Sequence, residues 1–178
     1  ECGIAMGGTA AMMSLTSEYF GKKSRDKWFF DSFEGLPDPT KEDYINGKTG
    51  NFIRPLPKGS CLGTYKDVSN YFFKVLKLSP YKTFLIKGWF QDTVPMNCKS
   101  IKEIAILRLD GDWYESTKIP LDYFFEKVSI NGFIIIDDYY TCYGSKRAVD
   151  EFMNSNKLFF DLIPDGRGGV WFQKKINS

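Results

Sequence analysis

The chain has 178 residues, 43% of them hydrophobic, enough to bury a substantial core and short enough for one domain, expected here over residues 1–178. Its 24 lysines and arginines against 22 aspartates and glutamates leave a net charge of +2, which argues against a dedicated surface for nucleic acid or anionic membrane and in favour of small-molecule partners. Histidine is absent, which excludes the commonest general base, the commonest transition-metal ligand and every Ser-His or Cys-His nucleophile.

The chain opens on ECGIAMGG, whose glycines at positions 3, 7 and 8 suit a turn from strand to helix that lets the backbone approach a ligand closely; an ordinary tight turn reads equally well. Helical spacing follows at Met12, Leu15 and Tyr19. The continuous apolar run KWFFD (27–31) reads as a buried parallel strand, and Asp31 ends it. From Gly35 to Gly63 proline, glycine, aspartate and lysine recur without a period, so a long loop over one edge is expected, of the kind that often covers a substrate. Val68, Tyr71, Phe72 and Val75 mark a second helix, and TFLIKG (83–88) a second strand.

A third strand is expected at EIAILRLD (103–110), a helix carrying Leu121, Phe124, Phe125 and Val128, a fourth strand at GFIIIDD (132–138), and a helix carrying Ala148, Val149, Phe152 and Met153. The alternation predicts an α/β fold, an open and mostly parallel sheet with helices on both faces. At the end, LFFDLI and GVWFQKK flank PDGRGG, which suits a hairpin and an antiparallel edge strand. Cys2, Cys61, Cys98 and Cys142 form no CxxC pair, so a reducing cytoplasm is the simplest setting. No apolar run reaches the roughly 18 residues that a membrane span needs.

In an open α/β sheet ligands bind beyond the carboxyl ends of the strands. Asp31 lies about 20 residues beyond the glycine turn, the separation at which an acidic side chain meets ribose hydroxyls, and together they imply an adenosine-containing cofactor, a dinucleotide or S-adenosylmethionine. Asp110 and Asp112 in LRLDGDWYEST, with Asp137 and Asp138 in IIIDDY, end two neighbouring strands. Four such carboxylates repel one another unless a cation compensates them, and an all-oxygen donor set favours Mg²⁺, Ca²⁺ or Mn²⁺. A metal beside an adenosine cofactor suits methyl transfer to a hydroxyl better than hydride transfer. A nicotinamide-dependent oxidoreductase and a non-catalytic cofactor-binding module remain the alternatives.

ECGIAMGG, DSFEGLP, KGWFQDTVP, LRLDGDWYEST and IIIDDY followed by GSKRAVDEF resemble, in order, the macrocin O-methyltransferase (TylF-like) family of S-adenosylmethionine- and metal-dependent sugar O-methyltransferases. The resemblance implies a Rossmann-like class I methyltransferase fold, in which Glu1, Gly3, Gly7 and Gly8 form the turn under the methionine part of the cofactor. It places Asp31 and Ser32 near the ribose, Gly88, Trp89 and Phe90 near the adenine, and a magnesium ion on Asp110, Asp137 and Asp138. Asp110 counts among both the cofactor-binding and the catalytic residues, and Asp112 is the preferred general base. Trp113, Tyr114 and Tyr139 are candidates to line the site of a sugar or glycoside acceptor. The helical segment that usually precedes the glycine turn in that family has no counterpart before Glu1, and a homo-oligomer is compatible with the reading. Lys87, Lys146 and Arg147 read first as solvated charges.

Overall fold

The computed structural model describes residues 1–51 and 56–175; part of the loop expected over Gly35–Gly63 therefore lies outside the described residues. Strands β1 (Lys27–Asp31) and β2 (Thr83–Lys87) pair in parallel. Strand β3 (Ile104–Leu109) pairs in parallel with β4 (Val128–Ile136), β4 pairs antiparallel with β6 (Val170–Gln173), and β6 antiparallel with the two-residue β5 (Ile163–Pro164).

The named strands thus form a two-stranded and a four-stranded group, with two parallel and two antiparallel pairings, and not the single mostly parallel sheet that the alternation suggested. Glu1–Gly3 joins the groups. Cys2 N–H donates to the Arg108 carbonyl at 3.0 Å and Asp110 N–H to the Cys2 carbonyl at 2.9 Å, while Gly3 N–H donates to the Phe30 carbonyl and Phe30 N–H to the Glu1 carbonyl, each at 2.9 Å. The ends of β1, of this short segment, of β3 and of β4 therefore meet along one edge.

Helices α1 (Gly8–Phe20) and α2 (Tyr65–Asn70, continued by a π turn over Tyr71–Val75) pack with Phe29 around Ala10, Ala11, Val68 and Phe72. Helices α3 (Phe90–Asn97), α4 (Tyr114–Phe124) and α5 (Tyr143–Ser155) join a second cluster with Phe30, Leu109, Ile134 and Ile136. Phe29 and Phe30 alternate along β1, so the two clusters occupy opposite faces of the strand. Each buried phenylalanine stabilises the fold by about 1.5–3 kcal/mol of transfer free energy.

Several expectations change. In α1, Met12 and Tyr19 are 70% and 82% exposed, and the helix buries Ala10, Ala11 and Ser14 instead. Small side chains let the helix approach closely, a signal that an apolar count overlooks. Val75 is likewise exposed. Val128 starts β4, because a 3₁₀ turn at Phe125–Lys127 ends the helical stretch before it. Of LFFDLI only Ile163 pairs as strand, whereas Asp165 does close the hairpin, its Oδ1 accepting N–H groups from Arg167, Gly168 and Gly169 at 2.7, 3.1 and 3.0 Å. Helix α3 carries Pro95 in its interior, which breaks the sequence signal for a helix without breaking the helix.

Candidate active site

Beyond the carboxyl ends of β1 and β3 lies a cavity of about 290 Å³, walled by Gly3, Asp31, Trp89, Phe90, Asp110 and Asp112 and by the loop from Gly35 to Asp38. Ser32 and Trp113 also line it. Gly3 has φ +87°, and a Cβ there would stand 1.8 Å from the Asp110 carbonyl oxygen, so only glycine lets the turn lie against the end of β3. Gly7 caps α1 and Gly8 is its first residue, while Gly88 follows β2 and donates its N–H to the Asp31 carbonyl at 2.9 Å; none of these three lines the cavity.

Asp31 holds the turn in place. Its Oδ2 accepts N–H groups from Ile4 at 2.8 Å and Ala5 at 3.0 Å, and its Oδ1 accepts from Phe33 at 2.7 Å. The turn-forming and cavity-facing readings of this aspartate hold together, since Oδ1 keeps an acceptor direction beyond its single backbone donor. Ser32 Oγ donates to the Gly35 carbonyl at 3.1 Å and shapes the loop that follows.

Asp110, Asp137 and Asp138 each present an oxygen within 4.8 Å of the others. The chain supplies one cation to these carboxylates itself. The Arg108 guanidinium, 7% exposed, pairs with Glu1, with Asp110 at 2.7 Å and with Asp137 at 2.5 Å. Arg108 lies two residues before Asp110 and so projects from the same face of β3. A charged residue inside an apolar strand was the signal that could have found it. The compensation is partial. Burial, with repulsion from Asp137, still raises the Asp110 carboxyl against the pull of Arg108, and burial with repulsion from Asp112, Asp110 and Asp137 lifts Asp138 well above the usual carboxylate range. A partly buried, all-carboxylate donor set with charge left over fits a hard divalent cation. Glu1 lies beneath this group with Oε2 buried and unpartnered, its carboxyl raised chiefly by burial.

Asp112 is 8% exposed and has φ +61°, an uncommon conformation for a non-glycine residue that recurs beside the cavity at Ala5 and Phe33. Its N–H donates to Asp138 Oδ2 at 3.1 Å, and the Cys142 thiol donates to its Oδ1 at 3.5 Å. Burial, then repulsion from Asp110, pushes its carboxyl up to about 6. That value suits a base working near neutral pH.

The expected aromatic lining is met at one position of three. Trp113 forms part of the wall and donates Nε1–H to the Pro37 carbonyl at 3.0 Å, whereas the Tyr114 hydroxyl turns to Glu151 and the Tyr139 hydroxyl to Asp150, at 2.7 and 2.6 Å, both on α5. Lys146 and Arg147 form i,i+4 pairs with Asp150 and Glu151, in keeping with their solvated reading. The loop after β1 is fastened over the site: buried Asp43 accepts Tyr114 N–H at 2.6 Å, and Asn51 N–H donates to the Thr141 carbonyl at 2.9 Å. Among the described residues no helix is long and apolar enough to cross a membrane.

Comparison with known proteins places this arrangement. The demethyldecarbamoylnovobiocin O-methyltransferase of Streptomyces niveus is 33% identical over 174 residues, which are 98% of this chain and 64% of that protein. The 8-demethyl-8-(2,3-dimethoxy-alpha-L-rhamnosyl)-tetracenomycin-C 4'-O-methyltransferase of Streptomyces olivaceus is 31% identical over 139 residues, 78% of this chain and 51% of that protein. The chain thus spans less than two thirds of the length of either relative. The structure of the O-methyltransferase NovP superposes with a TM-score of 0.81 at 30% identity, over 97% of this chain and 69% of that one. The model of the macrocin-O-methyltransferase (TylF) family matches residues 1–174, and the chain belongs to that family.

Proposed function

We propose that the protein is one methyltransferase domain that transfers a methyl group from S-adenosylmethionine to a sugar hydroxyl of a small-molecule glycoside, assisted by magnesium. The observation that carries the reading is the placement of Asp112, buried and pushed up to about 6, on the wall of the same cavity whose edge gathers Asp110, Asp137 and Asp138. The relatives' names add the acceptor class, one of them specifying a rhamnosyl compound.

Gly3, Asp31, Ser32, Trp89 and Phe90 line the cavity and would hold the cofactor, with Glu1, Gly7, Gly8 and Gly88 framing the turn; Asp110, Asp137 and Asp138 would hold the metal. When bound, the cofactor supplies an electrophilic methyl group and the ion lowers the pKa of an acceptor oxygen. Asp112 takes the proton from the acceptor hydroxyl as the oxygen becomes a nucleophile. Its fixed backbone, held by Asp138, keeps the carboxylate in place without loss of side-chain freedom during the reaction. Trp113 and the loop over the cavity exclude water from the reacting oxygen.

Calorimetric titration with S-adenosylhomocysteine and, separately, with NAD, in magnesium and in chelator, tests the cofactor. Binding of the first alone is expected, and binding of NAD alone would overturn the reading. The Asp137→Ala variant is expected to lose turnover on a glycoside acceptor while keeping S-adenosylhomocysteine binding; full activity would remove the metal from the reaction.

A further inference from the structure

We propose that this cavity selects uncharged or amine-bearing glycosides as acceptors and rejects anionic ones, above all sugars still attached to a nucleoside diphosphate. The inference rests on the proposed methyl transfer for its reaction, whereas the charge of the cavity stands on the structure alone. Among the described residues every charged side chain on the cavity wall is acidic: Asp31, Asp38, Asp43, Asp110, Asp112 and Glu115. Leu36, Trp89, Phe90, Trp113 and Ile119 supply apolar surface between them, and walls of low dielectric focus a field of one sign into a cleft.

The nearby cations do not reverse that field. Arg108 is engaged with Glu1, Asp110 and Asp137, and Lys58 reaches Asp38 at 3.3 Å from an exposed position. With Asp137 and Asp138 at the edge, the six wall carboxylates become eight against these two side chains. A divalent ion and a cofactor carrying one net positive charge leave the site negative, even when Asp112 and Asp138 hold protons. Cys61, on the same wall, registers the field: after burial, the charges of Asp112, Asp110, Asp138 and Asp31 raise its thiol.

The position at which a phosphate could be held is also taken. A helix N-terminus offers its free N–H groups to anions, and α4 begins two residues after Asp112. Asp43 occupies it: Oδ1 accepts Tyr114 N–H at 2.6 Å, while Oδ2 accepts the Thr40 N–H at 2.7 Å and the Thr40 hydroxyl at 2.9 Å. The diphosphate of a nucleotide sugar lies one sugar ring from a hydroxyl reacting at Asp112, inside the Debye length of about 8 Å at physiological salt, and meets these carboxylates little screened. Glycosyl transfer, which releases the nucleotide, is therefore the class of reaction that supplies the acceptor, and methylation follows it.

Cys61 makes the field measurable without knowledge of the sugar, since it is exposed, Cys2 and Cys142 are buried and Cys98 is partly so. Its labelling by trimethylammonioethyl and by sulfonatoethyl methanethiosulfonate is followed by mass spectrometry with S-adenosylhomocysteine and magnesium present, and Cys61→Ser reports labelling elsewhere. Relative to the same pair of rates on an uncharged free thiol, the cationic reagent is expected to react at least about tenfold faster, with the preference largely lost in 1 M salt, where the Debye length is about 3 Å. In parallel, initial rates are compared on a panel of sugars that includes rhamnose, each offered as its methyl glycoside and as its nucleoside diphosphate. The methyl glycoside is expected to show a kcat/KM at least about tenfold higher. An anionic reagent that reacts as fast as the cationic one, or a nucleotide sugar turned over as well as its methyl glycoside, would overturn the inference. Absence of S-adenosylhomocysteine binding would instead sink the proposed reaction, and the labelling ratio would still decide the charge of the cavity.

Discussion

Replacement of Arg108 by methionine isolates the charge that the chain places among its own carboxylates. Methionine keeps an unbranched apolar stem but removes the guanidinium, leaving Glu1, whose side chain is 1% exposed, with no side-chain partner. Removing one member of a buried pair costs about 3–5 kcal/mol. Asp110 and Asp137 are about one-third exposed, 31% and 30%, and the loss of their pairing adds at most about 1 kcal/mol each after solvent screening. For a domain of this size each kcal/mol lowers the melting midpoint by about 2–4 °C, so a loss of about 3–7 kcal/mol predicts a fall of about 6–28 °C at pH 7.5. The fall should shrink at pH 4.5, where the raised carboxyls of Glu1 and Asp110 take up protons and no longer need a cation. Adding Glu1→Gln to Arg108→Met should recover a large part of the loss, since the two residues share one interaction. Differential scanning calorimetry of the four proteins at both pH values decides it. A single variant melting within about 2 °C of the parent at pH 7.5, or losing as much at pH 4.5, would refute the role given to Arg108.

Asp112→Asn should reduce kcat by about 10²–10⁴-fold with little change in cofactor affinity, and the parent enzyme should lose kcat/KM as pH falls below about 6, both measured by initial rates on a glycoside acceptor. Asp110, Asp112 and Asp138 are all raised in the folded protein, so the stability they contribute is present below their unfolded values and is lost as pH rises through the folded ones; for Asp112, moved from 3.8 to about 6, the loss is about 3 kcal/mol. Magnesium should therefore raise the melting midpoint more at pH 7.5 than at pH 5, and an equal gain at both would count against the site. Gly144→Ala puts a Cβ 1.8 Å from Asp43 Oδ1 and 2.7 Å from Tyr114 N, displacing a buried carboxylate that caps α4. The unpaired groups left behind cost about 1–3 kcal/mol each, and an unchanged melting midpoint would show that Asp43 is not a structural clamp.

The features read correctly from sequence are those in which one residue's chemistry and its place in the pattern agree. Asp110 and Asp137 end apolar runs, and parallel pairing of β3 with β4 in the register Leu109 to Ile136 carries both to the same edge. Asp165 followed by Gly166 between two apolar segments made the hairpin legible in the same way. What escaped depends on partners distant in sequence. Asp43 reads as an ordinary loop aspartate, and its role exists only because Tyr114 and Gly144 come to meet it. Cys142 looks like an isolated apolar residue until the turn after Asp138 sets its sulfur against Asp112.

Arg108, paired with Glu1, Asp110 and Asp137, changes what the carboxylates require. Counting carboxylates alone makes a metal ion obligatory; with the guanidinium in place the fold carries part of the compensation itself, and what remains is the smaller imbalance recorded in Asp110, Asp112 and Asp138. A protein that paired every carboxylate internally would have no affinity left for a cation, and one that paired none would be costly to fold without it. With Arg108 on Glu1, Asp110 and Asp137, and none of its hydrogen bonds on Asp112 or Asp138, the unpaired charge is concentrated where the cavity meets the base. The same asymmetry that leaves room for the proposed metal also leaves Asp112, whose carboxyl burial raises first and repulsion from Asp110 second, without a cationic partner, and so links the two requirements of the proposed reaction through one arginine.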